Sequence, residues 1–279
     1  MSRNSSRVQS VDEPQAPQAQ QTQETVRRTA NTEFVDLPSG GRFYPQGHPL
    51  HNQEVVEIRF MTARDEDILT SQTLLKKGVA IDKLIQNVVV DQSIDVDDLL
   101  IGDKTAIMIA ARITGYGPDY QVNVTCPNCD SKSDHQFDLS DYSKYFINSQ
   151  EDENFELTPQ GTFSTTLPIS KRNVVVKLLT SNDEKRVRKI TEAKAKNRLA
   201  ESNATDLLKS FIVSIDGVTN KDEIAGMVLD LPARDSLFLR KNYSKLVPKV
   251  EMMENFECVY CGAETEMEVP LGATFFWPG

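Results

Sequence analysis

The chain has 279 residues, of which 39% are hydrophobic and 26% charged, and its formal net charge is −10. That length can bury a sizeable core in one large or two modest domains without extra staples, and the negative balance, with no Lys/Arg run dense enough to overrule it, argues against nucleic acid as a partner. No apolar stretch approaches the ~20 residues of a bilayer span, and the opening "MSRNSSRVQSVDEPQAPQAQQTQ" lacks the apolar core of a signal peptide. The expectation is therefore a soluble protein made in a cytoplasm, with no membrane partner and with its four cysteines as thiols or thiolates rather than structural disulfides.

Residues 1–32 are rich in Gln, Ser, Thr and Pro, and after Met1 their only large apolar residues are Val8, Val11 and Val26. This composition predicts a disordered polar tail, either a solubilising arm or one that folds onto a neighbour during assembly. Residues 33–118 read as a strand and helical region. Turns at Pro38, Gly40, Gly41 and Pro45 are flanked by Phe34, Leu37, Phe43 and Tyr44, and "EVVEIRFM" follows as a strand. Thr62 and Asp65 have capping-box spacing for a helix that Gly78 closes. "AIDKLIQNVVV" predicts a second helix burying Ile81, Leu84, Ile85 and Val88. "DVDDLLIGDKTAIMIAARITGYG" predicts a third and a fourth, the last capped by Asp103, the most buried, and stopped by Gly115 or Gly117.

Residues 148–250 read as an insertion. It opens with an acidic, turn-rich link, then a hairpin in "FSTTLPISKRNVVVKLLT" with its turn at Ser170 to Asn173. An exposed helix with a Ser181/Glu184 capping box comes next. Helices in "ATDLLKSFIVSID", "NKDEIAGMVLDL" and "PARDSLFLRKNYSKL" complete it, the last with Pro232 near its first turn.

The strongest chemical signal is a pair of Cys-x-x-Cys knuckles, "CPNC" at Cys126 and Cys129 and "CVYC" at Cys258 and Cys261, each between strand-like runs. Two intervening residues turn the backbone tightly enough for both sulfurs to reach one ion, and two knuckles complete a tetrahedral shell. Gly262 after Cys261 and Asp130 after Cys129 suit the left-handed conformation that such a turn requires. The expectation is one closed, structural zinc site made by Cys126, Cys129, Cys258 and Cys261. Iron on the same ligands and free or redox thiols are the weaker readings. The fold class expected is α+β: a split, zinc-ribbon-like module from residues 119–147 and 251–279, with a largely helical insertion whose ends the metal brings together.

Nothing in the chain supports catalysis. His48 and His51 sit in turn-rich sequence and read as surface histidines, and His135 is near the first knuckle, where four cysteines already suffice as ligands. Phosphate loop, dinucleotide turn and nucleophile elbow are all missing from the sequence. Asp65, Glu66, Asp67, Asp95, Asp97, Asp98 and Asp103 read as helix starts. The terminal "ATFFWPG", with Phe275, Phe276 and the sole Trp, either tucks into the chain's own core or anchors a protein interface.

The strings "LPSGGRFYP", "MTARDEDILTS", "GDKTAIMIAARITGYGPDY" running into "CPNC", and "LPISKRNVVVKLLTSNDE" resemble the baseplate hub subunit family of T4-like contractile-tailed bacteriophages. The resemblance covers residues 34–279. It implies a non-enzymatic virion or tail-assembly protein, made in the infected bacterium and bound to other baseplate or hub proteins, with a homo-oligomer possible in principle. It leaves open a structural component of the virion or an assembly factor absent from it. The zinc expectation rests on this sequence's own spacing.

Overall fold

The chain enters the described part of the structure through a hairpin. The computed structural model describes residues 31–149, 152–196, 203–272 and 275–276, so the polar tail expected over residues 1–32 lies, up to residue 30, outside it. Strands β1 (Thr32–Asp36) and β2 (Val55–Arg59) pair antiparallel with Val35 opposite Val56. Only β2 was legible beforehand: of the five residues of β1, Val35 alone is buried, so the strand shows no inward period. The turns between them drive Leu37, Phe43, Tyr44 and Leu50 into the core.

The single helix expected from Thr62 to Gly78 is two, α1 (Ala63–Thr70) and α2 (Gln72–Lys77), because Ser71 takes an extended conformation between them. Asp65 accepts hydrogen bonds from the Thr62 amide (2.8 Å) and hydroxyl (2.9 Å), which satisfies an otherwise orphaned donor at the helix start. Helix α3 (Ala80–Val88) buries Leu84, Ile85 and Val88, while Ile81 is only half-buried. In place of the expected third helix stands one 3-10 turn, Val96–Asp98, capped by Asp95. Helix α4 (Ile101–Tyr116) is buried on most sides and stops at Gly117, as expected. Its cap position is Leu100, however, and Asp103 lies inside the first turn with a different task.

Strands β3 (Asp119–Thr125) and β4 (Lys132–Asp138) then form the first knuckle hairpin. Beyond a 3-10 turn at Tyr142–Tyr145 comes β5 (Phe146–Ile147). The segment that follows is built on a four-stranded antiparallel sheet. Its order is β6 (Glu156–Leu157), β7 (Thr162–Thr166), β8 (Asn173–Lys177), β9 (Ile212–Ile215). The predicted β7–β8 hairpin is present, and two strands extend it. Strand β9 falls where a helix was expected to continue: α6 (Asn203–Phe211) stops one residue earlier. The run Ile-Val-Ser-Ile, three of its four residues β-branched, meets the open edge of β8 and pairs with it antiparallel, with one register shift between Val175 and Val176. Tertiary pairing therefore ended the helix.

Helix α5 (Ser181–Lys196), mostly exposed, is capped one residue earlier than expected, by Thr180 rather than Ser181. Thr180 and Asp183 hydrogen-bond reciprocally, and Ser181 is fully buried. Helices α7 (Lys221–Leu229) and α8 (Ala233–Leu246), capped by Asn220 and preceded by Pro232, close the segment. Strand β10 (Lys249–Val250) pairs antiparallel with β5, and β11 (Met253–Glu257) with β12 (Glu264–Glu268) forms the second knuckle hairpin. Where β10 begins, the chain passes so close to α4 that a Cβ on Gly102 would stand 2.2 Å from the Pro248 carbonyl oxygen, so only glycine fits. One continuous apolar core runs from Val35 to Phe276.

Asp65 ties β2, α1 and α3 together, since it also accepts two hydrogen bonds from Arg59 (2.7 and 2.9 Å) and one from Asn87 (2.6 Å). Burial alone would raise its pKa, but bonds from Arg59, Thr62 and Asn87 outweigh that and hold it at about 2. The folded-state value lies below the unfolded one, so its stabilisation is present above about pH 4 and is lost as pH falls towards about 2. Allowing for solvent screening of the part-exposed Arg59, Asp65→Asn should cost about 1–2 kcal/mol in urea unfolding at pH 6. The difference from wild type should vanish by about pH 2.

Candidate metal centre

Each knuckle is a tight turn at the end of a two-stranded ladder, and the two turns have the same backbone. The Cys126 carbonyl accepts from the Asp130 amide (2.9 Å), and the Cys258 carbonyl accepts from that of Gly262 (2.8 Å). The Cys126 amide donates to the Ser131 carbonyl (2.9 Å), as the Cys258 amide does to Ala263 (3.0 Å). Both turns need a left-handed residue at the same place, supplied by Asp130 (φ 56°) and Gly262 (φ 65°). Aspartate tolerates that conformation through its short polar side chain and glycine through having none.

The four sulfurs converge although about 130 residues separate the pairs. All four Sγ atoms lie within 4.8 Å of one another, with Cys126 to Cys261 at 3.9 Å and Cys129 to Cys258 at 3.7 Å. A tetrahedron of metal–thiolate bonds about 2.3 Å long has edges of about 3.8 Å. The cysteines are free, and the set can hold one metal ion. Cys126 and Cys258 are buried while Cys129 and Cys261 are exposed, each buried sulfur lying against the exposed one of the other knuckle.

Local donors already favour thiolate at the exposed positions. Hydrogen bonds from Ser131 pull Cys129 down to about 6, and the Asn128 side chain pulls Cys261 below the usual thiol range. Burial pushes Cys126 up to about 11, against donation from the Asn128 amide. Neither pair opens a helix, so no helix dipole supplies the activation a thioredoxin-type pair would use.

Sulfur is not the only link between the hairpins. The His135 ring stands edge-on to Phe137 in its own strand and to Phe256 in β11, with centroids 4.6 and 5.4 Å away; it is a packing group, outside the sulfur cluster. The Tyr120 hydroxyl donates to the Pro270 carbonyl (2.8 Å), and its ring meets Phe275 edge-on at 5.1 Å. The two-residue ladder of β5 and β10 further brings the ends of the intervening segment together without metal.

Away from the sulfurs, several buried or half-buried polar residues hold structure. Asp103 is fully buried and accepts from the Ser39 amide (2.9 Å), the Ser39 hydroxyl (2.6 Å) and the Tyr44 hydroxyl (2.8 Å). Desolvation raises its pKa against these donors, and no cation partners it among the described residues. Arg112, 1% exposed, donates to the carbonyls of Phe275 (3.0 Å), Gly117 (2.7 Å) and Asp119 (3.1 Å), with the Tyr116 and Tyr120 rings beside it. Asp235 caps the turn of "LPISK" by accepting from the Ile169 and Ser170 amides, both at 2.9 Å. His48 stacks on Tyr44, and His51 contacts the Tyr44 carbonyl, so both are half-buried turn fasteners rather than plain surface groups. Phe275 and Phe276 are each 1% exposed, so this part of the aromatic terminus belongs to the core; Trp277 lies outside the described residues. Sequence reasoning missed the Asp103 pairing, whose partners are 59 and 64 residues away, and the reach of Arg112 to Phe275, 163 residues away.

A family model described as T4 bacteriophage base plate protein matches residues 29–277. The chain belongs to that family. The match covers all four strings that carried the resemblance, and three of them meet in space: "LPSGGRFYP" and "GDKTA" at Asp103, and "GDKTA" and "LLTSNDE" where Lys104 reaches Ser181 (2.9 Å). Polar residues from three of the strings are thus bonded to one another in this baseplate chain. No curated protein and no solved structure matches it. Among the described residues, no helix is long and apolar enough to cross a membrane.

Because three donors converge on Asp103, its loss leaves them buried and unpaired. Asp103→Ala should lower stability by about 2–5 kcal/mol, read from the urea midpoint, with more loss than any single exposed Asp→Ala change.

Proposed function

We infer that this baseplate-family chain is a structural component of the hub at the tail tip, acting through protein contacts and without catalysis. The observation that carries the reading is the family match over residues 29–277. The side-chain chemistry supports it: Asp65, Asp103, Arg112 and Asp235 are all engaged in internal hydrogen bonds. Such a protein resides in the tail baseplate of the virion after synthesis in the host cytoplasm, with other baseplate or hub proteins as its partners. Quantitative mass spectrometry of purified virions tests this. A fixed copy number per tail is expected; complete absence from virions, with tail assembly still dependent on the protein, would instead identify an assembly factor.

The ion assigned to the four cysteines is zinc. Four thiolates form a soft, closed ligand set with no open position, so the ion would tie β3–β4 to β11–β12 and have no vacancy for a substrate. The remaining packing between the hairpins keeps its contribution below the ~10–16 kcal/mol of zinc-finger peptides that are unfolded without metal. Elemental analysis should find one zinc per chain and no iron. Cys126→Ser should abolish it and lower the melting temperature by roughly 6–12 °C, about 3 kcal/mol for a chain of this size. Unchanged metal content and melting in that variant would refute the assignment.

A further inference from the structure

The second knuckle is an apolar projection in an acidic setting. Val259 and Tyr260, the two residues between its cysteines, are 77% and 67% exposed. Neither is needed for the turn geometry, which the hydrogen bonds of Cys258 provide. Beneath them, one face of the β11–β12 ladder carries Glu257, Glu264, Glu266 and Glu268, all exposed and without an ion pair among the described residues. Glu257 stands directly opposite Glu264, a like-charge pairing that weakens an isolated hairpin. A cationic partner surface would turn that cost into attraction.

The same molecule carries a cavity of complementary character. Between α5, α6, β9 and α7 lies a space of about 400 Å³, within the range of ligand-binding pockets. Its walls are apolar: Val187, Ile190, Ile212, Val213 and Ile224. Its charged lining is mainly cationic. Lys177 and Arg186 both bind Asp183, whereas Lys209 and Lys221 are in no ion pair among the described residues. The other acid there, Asp206, is held by Lys194. The site thus offers an apolar floor and two uncommitted ammonium groups, the inverse of a knob with an apolar tip and four uncommitted carboxylates.

We propose that a second copy of this chain docks here, its Val259–Tyr260 tip entering the cavity while Glu257 and Glu264 meet Lys209 and Lys221. Knob and hole are different surfaces, so the contact is head-to-tail. Repeated copies therefore close into a ring or continue as a filament. Apolar contact supplies the affinity, and the charges set partner choice and salt sensitivity.

Sedimentation velocity of the purified full-length chain tests this without reference to the virion, so its outcome is separable from the hub assignment. In low salt, the average mass should rise with concentration from roughly 1 to 100 µM and fall back in high salt. Val259→Ser/Tyr260→Ser and Lys209→Glu/Lys221→Glu should each weaken association about tenfold or more. Mixed in equal amounts, the two variants should form a 1:1 dimer and nothing larger, because one intact knob and one intact hole remain. Where the knob change disturbs metal content, Glu264→Lys/Glu266→Lys carries the same comparison from outside the knuckle. The proposal is overturned by a wild-type chain that stays monomeric throughout, which would leave knob and hole to other proteins. It is equally overturned by variants that associate like wild type, or by a mixture that forms no dimer.

Discussion

The structure depends on how α4, a helix of 16 residues buried on most sides, disposes of the charges it carries into the core. An unpaired charge in a low-dielectric interior is costly, so each must find partners, and here each finds them in a different part of the chain. Asp103 takes three donors from the N-terminal turns. Lys104, one residue on and facing elsewhere, meets Asp82 of α3 at 2.8 Å and Ser181 of α5 at 2.9 Å. Arg112, two turns later, collects carbonyls from the start of β3 and from the C-terminal segment. Three side chains on one rigid rod therefore set the positions of the N-terminal turns, the long central segment and the knuckle hairpins.

The same balance sets the two buried carboxylates apart. Asp65 is held low by an arginine and a cap, while Asp103 is raised by burial yet fully occupied by donors. The two opposite shifts arise from one rule, the balance of desolvation against hydrogen bonding. In both cases the donors come from the protein itself, Arg59, Thr62 and Asn87 at Asp65 and Ser39 and Tyr44 at Asp103.

The sulfur cluster is tied into this framework by three links besides the sulfurs. The ladder of β5 and β10, the Tyr120–Pro270 bond and the Arg112–Phe275 bond align the hairpins through protein groups alone. A metal added to a scaffold so prepared would lock the knuckle tips more than it would create the fold. It would also stiffen the turn that exposes Val259 and Tyr260.

Local chemistry was readable directly from the chain. The left-handed residues Asp130 and Gly262, the Thr62–Asp65 cap, the β7–β8 hairpin and the burial of α4 all follow from neighbours within a few positions, where backbone sterics and short-range hydrogen bonds dominate. Even the meeting of four distant cysteines was legible, because the repeated spacing names a shared ligand. What only the tertiary structure decided were choices between locally similar states. Ile212–Ile215 could have prolonged a helix but found the edge of β8; Asp103 could have capped α4 but found Ser39 and Tyr44; Ser181 yielded its capping place to Thr180 and was buried against Lys104. In each case a partner scores of residues away settled a near balance of local preferences, and that partner's position is set by packing rather than by sequence proximity.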